Sequence, residues 1–320
     1  VHPPSRSWRL PPGLEQSTFS DAIRGLLTCR AEPIVESSSL FLDSFDWRLS
    51  QSGAALEERT GAGSGRELLW LDLKHDATVV ARQPAATEPT FADSVPAGPV
   101  QELLAPILGI RRLLPRCRLQ QERATWRVLN DDEKTVARIV LERNRVVATD
   151  CGSTVPVSLP MRLLLRPVRG YCAELEETAA ALERILSLAP TGTSVYHEAL
   201  AAAGCRPGHY SSKLSYRLDP EQRADVAART IHLGLLDTLE ANVDGARRNL
   251  DTEFLHDLRV ATRRTRSALS QIKDVFAPSV VEDFKGRFAW LQQVTGPVRD
   301  LDVYLLDFPR LRGDLPAAMR

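Results

Sequence analysis

Between Ser39 and Gln83 the apolar positions fall in short runs, SLFLDSFDWRL, ELLWLDLK and TVVARQ, with the flexible GAGSG at 61–65 among them. β-formers dominate each run, which predicts short strands. The stretch 84–99 is rich in Pro and Ala and reads as a loop. A second group follows, in which RCRLQQERATWRVL meets KTVARIVLE across Asn130-Asp131-Asp132-Glu133. That intervening segment has the length and chemistry of a hairpin turn. RNRVVATD and MRLLLRPV would add two strands, with Pro156 and Pro160 in the loop between them. Several short strands at this spacing predict an antiparallel sheet or barrel. Ahead of them, Pro3, Pro4, Pro11, Pro12 and Gly13 predict little regular structure before Leu14.

The period then changes. GYCAELEETAAALERILSLAP carries Ala and Leu at helix spacing and ends at Pro190, and VYHEALAAAG is a shorter helix stopped by Gly204. Pro207, Gly208 and Pro220 mark a transition, and the pattern divides into a β-rich domain at 1–216, a linker at 217–224 and a helical domain at 225–320. Asp251 is an expected N-cap for FLHDLRVATRRTRSALSQI, residues 254–272, which Pro278 closes. Ser279-x-x-Glu282 reads as a capping box for the next helix, with Phe284, Phe288 and Leu291 as its core stripe. Gly296-Pro297 separates that helix from RDLDVYLLDF.

Wound at about 100° per residue, the 254–272 segment has two faces. His256, Arg259, Arg263 and Arg266 fall within an arc of about 80°. Leu255, Leu258, Leu269 and Ile272 gather on the neighbouring side. Asp257 is the only acid between His256 and Lys273. Cations stacked at this spacing repel by a few tenths of a kcal/mol per pair, which an anionic ligand would relieve. A solvated charged face is the alternative, but such faces interleave both signs.

With 320 residues, 43% hydrophobic and 26% charged, the chain has room for two ordinary globular domains. Its formal net charge of zero means that an anion must be drawn by local segregation, not by the whole chain. Cys29, Cys117, Cys151, Cys172 and Cys205 are odd in number, scattered and without a C-x-x-C pair. That predicts reduced thiols and no zinc site. No run of 18 apolar residues occurs, and the first thirty residues lack an apolar signal core. A cytoplasmic protein is expected. Trp8, Trp47, Trp70, Trp126 and Trp290 are expected in cores. No Gly-rich phosphate loop, Ser-His-Asp or Cys-His arrangement can be argued, so no catalytic residue and no metal ligand is named.

The motif His256-x-x-Arg259-x-x-x-Arg263-Arg264-x-Arg266 resembles the signature of the CHAD domain, and Arg299-Asp300-Leu301-Asp302-Val303 resembles that family's second signature. The resemblance implies an α-helical domain that binds inorganic polyphosphate, with His256, Arg259, Arg263, Arg264, Arg266 and Arg299 as its site. Such domains are usually built of two helical halves. This chain stops at Arg320 after about one half, so the expectation is either a truncated sequence or a half-bundle that completes itself by pairing. Its stripes Leu235, Leu236, Leu239 and Phe284, Phe288, Leu291 point the same way.

LFLDSFDWRLSQSGAAL, LLWLDLK, WRVLNDDEKTVARIVLE and LLLRPVRGY are similar to the CYTH fold, an antiparallel β-tunnel that binds or hydrolyses triphosphates with a divalent metal. CYTH followed by CHAD implies an α+β chain: a β-tunnel or barrel, then an all-α bundle. The chain departs from that pattern where metal would sit. Pro3, Ser5 and Ser7 occupy the register of the Glu-x-Glu-x-Lys strand, MRLLLRP offers Arg162 and Leu164, and LEER at 56–59 puts acids on an expected basic strand. Lys74, Arg116, Arg118 and Arg123 remain as cations of a vestigial tunnel, or as plain exposed strand faces.

The expectation is therefore non-catalytic polyphosphate binding, with no cofactor; magnesium or manganese would matter only to an active tunnel. ATP and tripolyphosphate should not be turned over with either metal. Polyphosphate granules are the implied cytoplasmic location. The rivals are a metal-dependent triphosphatase and nucleic-acid binding through the same helix. The latter is disfavoured because no aromatics interleave with the cations.

Overall fold

The strand runs become one antiparallel sheet. The computed structural model describes residues 6–11, 13, 16–61, 64–151, 156–186 and 188–315. Its first sixteen elements are β1 (Arg6–Arg9), α1 (Gln16–Leu26), β2 (Cys29–Ala31), β3 (Val35–Asp43), α2 (Arg48–Gln51), β4 (Ala54–Gly61), β5 (Ser64–Asp72), β6 (Thr78–Ala85), α3 (Pro99–Leu108), β7 (Leu114–Leu129), β8 (Thr135–Thr149), β9 (Val157–Ser158), β10 (Arg162–Pro167), α4 (Cys172–Leu186), β11 (Ala189–Pro190) and α5 (Val195–Ala202). Four helices follow: α6 (Ala224–Arg247), α7 (Thr252–Gln271), α8 (Pro278–Val294) and α9 (Gly296–Asp314). By backbone contacts the chain forms two units, one of residues 1–107 and 113–207, the other of 108–112 and 208–320. The division falls at 207/208 and not at the expected linker 217–224, because Tyr210, Ser212 and Tyr216 bond to the helices that follow.

In the first unit the strands pair in the order β11-β1-β10-β8-β7-β3-β4-β5-β6, with β2 on β7 and β9 on β8. The hairpin at 130–133 is as expected: Glu133 takes a left-handed φ of 57°, and the Lys134 N–H donates to the Asn130 side chain at 2.9 Å. Trp126, Ile139 and Leu163 pack with Phe19 and Ile23 of α1 and with Leu175 and Leu182 of α4. Phe41, Leu119 and Val146 pack with Tyr196 and Leu200 of α5. The sheet is thereby buried on different faces at different places along its length.

Several expectations change. RNRVVATD is not a separate strand but the second half of β8, since no turn residue separates Arg143 from Glu142. α3 was not anticipated; its Val100, Leu104 and Leu108 are buried at four-residue spacing inside a Pro-broken stretch. Pro3 and Ser5 lie outside the described residues, whereas Ser7 sits in β1 opposite Leu164 and pairs with the Thr191 hydroxyl at 2.6 Å. Ser279 does not cap α8, whose N-cap is Ala277 with Pro278 in the first turn. Trp8, Trp47, Trp70 and Trp126 are buried, but Trp290 on α8 is 63% exposed because nothing among the described residues covers that face.

The cysteines also differ from expectation. Cys151 and Cys205 form a disulfide, with Cα atoms 5.0 Å apart. A separation of 54 residues hid the pairing, which exists because the end of β8 returns to the end of α5. Disulfides persist in oxidising surroundings, so cysteine usage no longer supports a reducing compartment. No helix among the described residues is long and apolar enough to cross a membrane. Replacing both cysteines by Ser should cost about 4 kcal/mol, the loop-closure value for a loop of this length. Denaturant unfolding checks this; an unchanged midpoint would mean that the bond adds nothing to the native fold.

Candidate anion-binding face

The basic helix of the sequence is α7, and its entry is fixed by a buried ion cluster. The Asp251 carboxylate accepts from the N–H groups of Glu253 and Phe254 at 3.0 and 3.3 Å, as an N-cap should. It also accepts from the Arg112 N–H at 3.0 Å and from the Arg111 guanidinium at 3.2 Å. The other arm of Arg111 donates to Asp257 at 2.8 Å. Arg111 is 1% exposed and lies 5.3 Å from the Phe254 ring centre. Tyr210 donates to the same Asp257 carboxylate at 3.1 Å and accepts from Asn242 at 2.6 Å. Burial, with the Asp257 charge beside it, holds the Tyr210 phenol above its ordinary range. Phe254 has room because α6 carries Gly245, where a Cβ would lie 2.2 Å from the ring.

The only acid of the motif is therefore turned into the interior and neutralised. Leu258, Ala261, Thr262, Thr265 and Leu269 are buried on the same side, while Leu255 and Ile272 are only half-buried. Leu258 and Ala261 meet Leu235 and Leu239 of α6, and Phe288 and Leu291 of α8 pack against them; Phe284 and Leu236 stay 45% and 43% exposed.

The six cations of the expected site fall into two groups. His256 is half-buried and Arg263 exposed, and neither has a hydrogen bond or ion pair among the described residues. Arg266 is half-buried with its Nε shielded from water and unpartnered. Arg259 instead donates from Nη1 to the Gln292 carbonyl and the Thr295 hydroxyl, both at 2.7 Å. It thus places a cation at the C-terminal end of α8, where the helix dipole favours one. Arg299 donates to the Thr252 carbonyl at 3.0 Å and lies 4.0 Å from Glu253. Arg264 donates to the Ser212 carbonyl at 2.7 Å. Carbonyl partners leave the charge of Arg259 and Arg264 uncompensated, whereas Arg299 has the Glu253 carboxylate beside it.

Residues 230–320 match the model of the CHAD domain. The match spans α7, with all five of its motif residues, and Arg299 of α9. Among solved structures the chain is similar to a proposed adenylate cyclase of Bacillus halodurans, at 13% identity over 59% of this chain and 92% of that one, with a TM-score of 0.41. It is also similar to a proposed adenylyl cyclase of Hippeastrum, reported to have a dominant triphosphatase activity, at 13% identity over 65% and 99%, TM-score 0.42. A third is PH1819 of Pyrococcus horikoshii, at 14% identity over 62% and 98%, TM-score 0.36. No curated protein matches.

The sheet unit treats its four expected cations differently. Lys74 lies in the short turn after β5 and not on a strand. Arg116 is buried, paired with Asp150 at 2.9 Å and stacked 4.4 Å from the Trp47 ring, so it helps to hold the fold. Arg118 is half-buried in β7. Arg123 pairs with Glu142 at 2.7 Å, and Glu142 also stands opposite Arg162 in the ladder. Arg166 is the cation missed: partial desolvation lowers its pKa, Glu142 opposes this, and Arg123, Arg59 and Arg82 add to it. No ion pair is formed by Arg166 among the described residues.

Two carboxylates of the sheet are already engaged by cations. Glu57 is taken by the Ser39 hydroxyl and by Arg59 at 2.7 Å, and Glu142 by Arg123. Among the described residues the one cluster of three metal-capable groups is Asp150, Cys151 and Cys205, two of which are spent in the disulfide.

Arg111→Met should destabilise the fold by about 3–5 kcal/mol, because two buried carboxylates lose their counter-charge. Arg259→Ala should cost about 1–3 kcal/mol through the lost α8 contacts, whereas Arg263→Ala should lie within about 0.5 kcal/mol of wild type. Thermal and urea unfolding give the order. Equal losses for Arg111 and Arg263 would contradict it.

Proposed function

We propose that the helical unit binds inorganic polyphosphate without turning it over, along the outer face of α7. The observation that carries this is the asymmetry of that helix: His256, Arg263 and Arg266 have no anionic partner, and the sole acid among them is consumed by Arg111. Guanidinium groups suit a phosphate chain because they bind its oxygens in pairs and stay charged at any working pH. The CHAD match and its two motifs support the same ligand. The exposed aromatics Trp290 and Tyr304 lie on α8 and α9 and do not interleave with the α7 cations, which favours phosphate over a stacked single strand.

A second reading concerns the sheet unit. Arg166, set among Arg59, Arg82 and Arg123, suits a short anion such as tripolyphosphate, in line with the CYTH resemblance.

Calorimetry separates the two. Arg263→Ala should weaken long-chain polyphosphate by about tenfold or more, the value of a charge-assisted hydrogen bond, and should flatten the salt dependence. Lys273→Ala, beyond the end of α7, should change little. Arg166→Ala should leave long-chain binding intact and weaken tripolyphosphate. Equal affinities across the α7 set, in folded proteins, would reduce the basic column to a solvated face. Tighter binding of DNA or RNA than of polyphosphate in competition would replace the ligand.

A further inference from the structure

The end of β8 and the end of α5 bring three metal-capable groups together. Asp150, Cys151 and Cys205 each offer a donor atom, and these lie within 4.8 Å of one another. The Asp150 Oδ1 is 3.3 Å from the Cys151 Sγ, while Oδ2 accepts from the Arg116 guanidinium at 2.9 Å. One carboxylate oxygen is thereby turned to the sulfurs. The other is fixed by a buried cation, as an outer partner fixes a metal-binding carboxylate. The sulfurs do not owe their places to the S–S bond alone. The Cys151 N–H donates to the Thr149 hydroxyl at 3.0 Å, and that hydroxyl lies 3.6 Å from the Cys205 Sγ and 3.1 Å from the Arg116 carbonyl. The Cys205 N–H donates to the Leu200 carbonyl at 2.9 Å, which ties it to α5. Reduction would break one covalent bond and leave these contacts in place.

We propose that the reduced chain binds Zn2+ at Asp150, Cys151 and Cys205, so that the disulfide and the bound metal exclude each other. A dithiol reductant gives two electrons and two protons to the S–S bond, leaves as its own disulfide and yields two thiols. Zn2+ then takes the place of the two thiol protons, which pass to solvent. Two thiolates and one carboxylate carry three negative charges, of which Arg116 meets one and the ion the other two. Sulfur donors select zinc over magnesium or manganese, which ask for oxygen. The Asp150 side chain is 36% exposed, so a water can complete a tetrahedral site. No C-x-x-C spacing announces such a site, because its sulfurs come from segments 54 residues apart.

Cobalt titration of the full 320-residue protein tests this, after reduction with dithiothreitol and removal of the reductant without air. Reduced wild type should bind one Co2+ per chain with thiolate-to-cobalt charge-transfer absorption, lost on adding Zn2+ and kept in excess Mg2+. The oxidised protein and reduced Cys151→Ser should show no such band. Asp150→Asn should weaken Co2+ at least tenfold. Cys172→Ala, which removes an exposed thiol on α4, should change nothing. Absence of the band from reduced wild type, or loss of its native circular dichroism on reduction, overturns the proposal. So does an equal band in Cys151→Ser, or its removal by Cys172→Ala. Asp150→Asn at wild-type affinity overturns the three-donor site and with it the inference.

Discussion

One buried arginine sets the terms for the helical unit. Arg111 reaches Asp251 with one arm and Asp257 with the other, and it is the counter-charge for both. Removing two carboxylates from water is costly unless a cation and further hydrogen bonds meet them, and here Tyr210, Arg112 and the α7 N-terminus supply the remaining donors. The consequence reaches the other side of the helix. An Asp257 facing solvent would neutralise its neighbours at one turn's distance. Held by Arg111, it leaves His256, Arg263 and Arg266 as an unopposed row.

How far the fold was legible depended on local periodicity. The long β7–β8 hairpin, α4, α5 and all four terminal helices announce themselves by turn chemistry or by apolar residues at three- and four-residue spacing. α3 did not, because Pro106 and the Pro- and Gly-rich residues before it resemble a loop, although Val100, Leu104 and Leu108 keep helical spacing. The disulfide was illegible for a different reason: Cys151 and Cys205 meet only after the sheet has brought β8 and α5 together. Trp290 shows that an aromatic on a helix need not find a core to fill.

In the candidate site, the motif placed the cations on one helix but not their partners. Arg259, Arg264 and Arg299 turn out to bind carbonyl oxygens of neighbouring segments, so they join the helices as well as charge the face. Arg111 went unnoticed, yet LGIRRLLPR carries a signal: a charged doublet within an apolar run implies a buried partner. Arg166 was hidden because the cations whose charges reach it, Arg59, Arg82 and Arg123, stand on β4, β6 and β7 and not on its own strand β10.

The chain thus combines two basic regions of different construction. In the sheet, Arg59, Arg82 and Arg123 are met by Glu57, Glu67 and Glu142. On α7, His256, Arg263 and Arg266 have no such acid among the described residues. A crystal structure with polyphosphate of defined length addresses the claim at its centre. Phosphate oxygens should lie within hydrogen-bond distance of the Arg263 and Arg266 guanidinium groups, with His256 beside the chain. Polyphosphate seated only among the sheet arginines, with α7 bare, would contradict it.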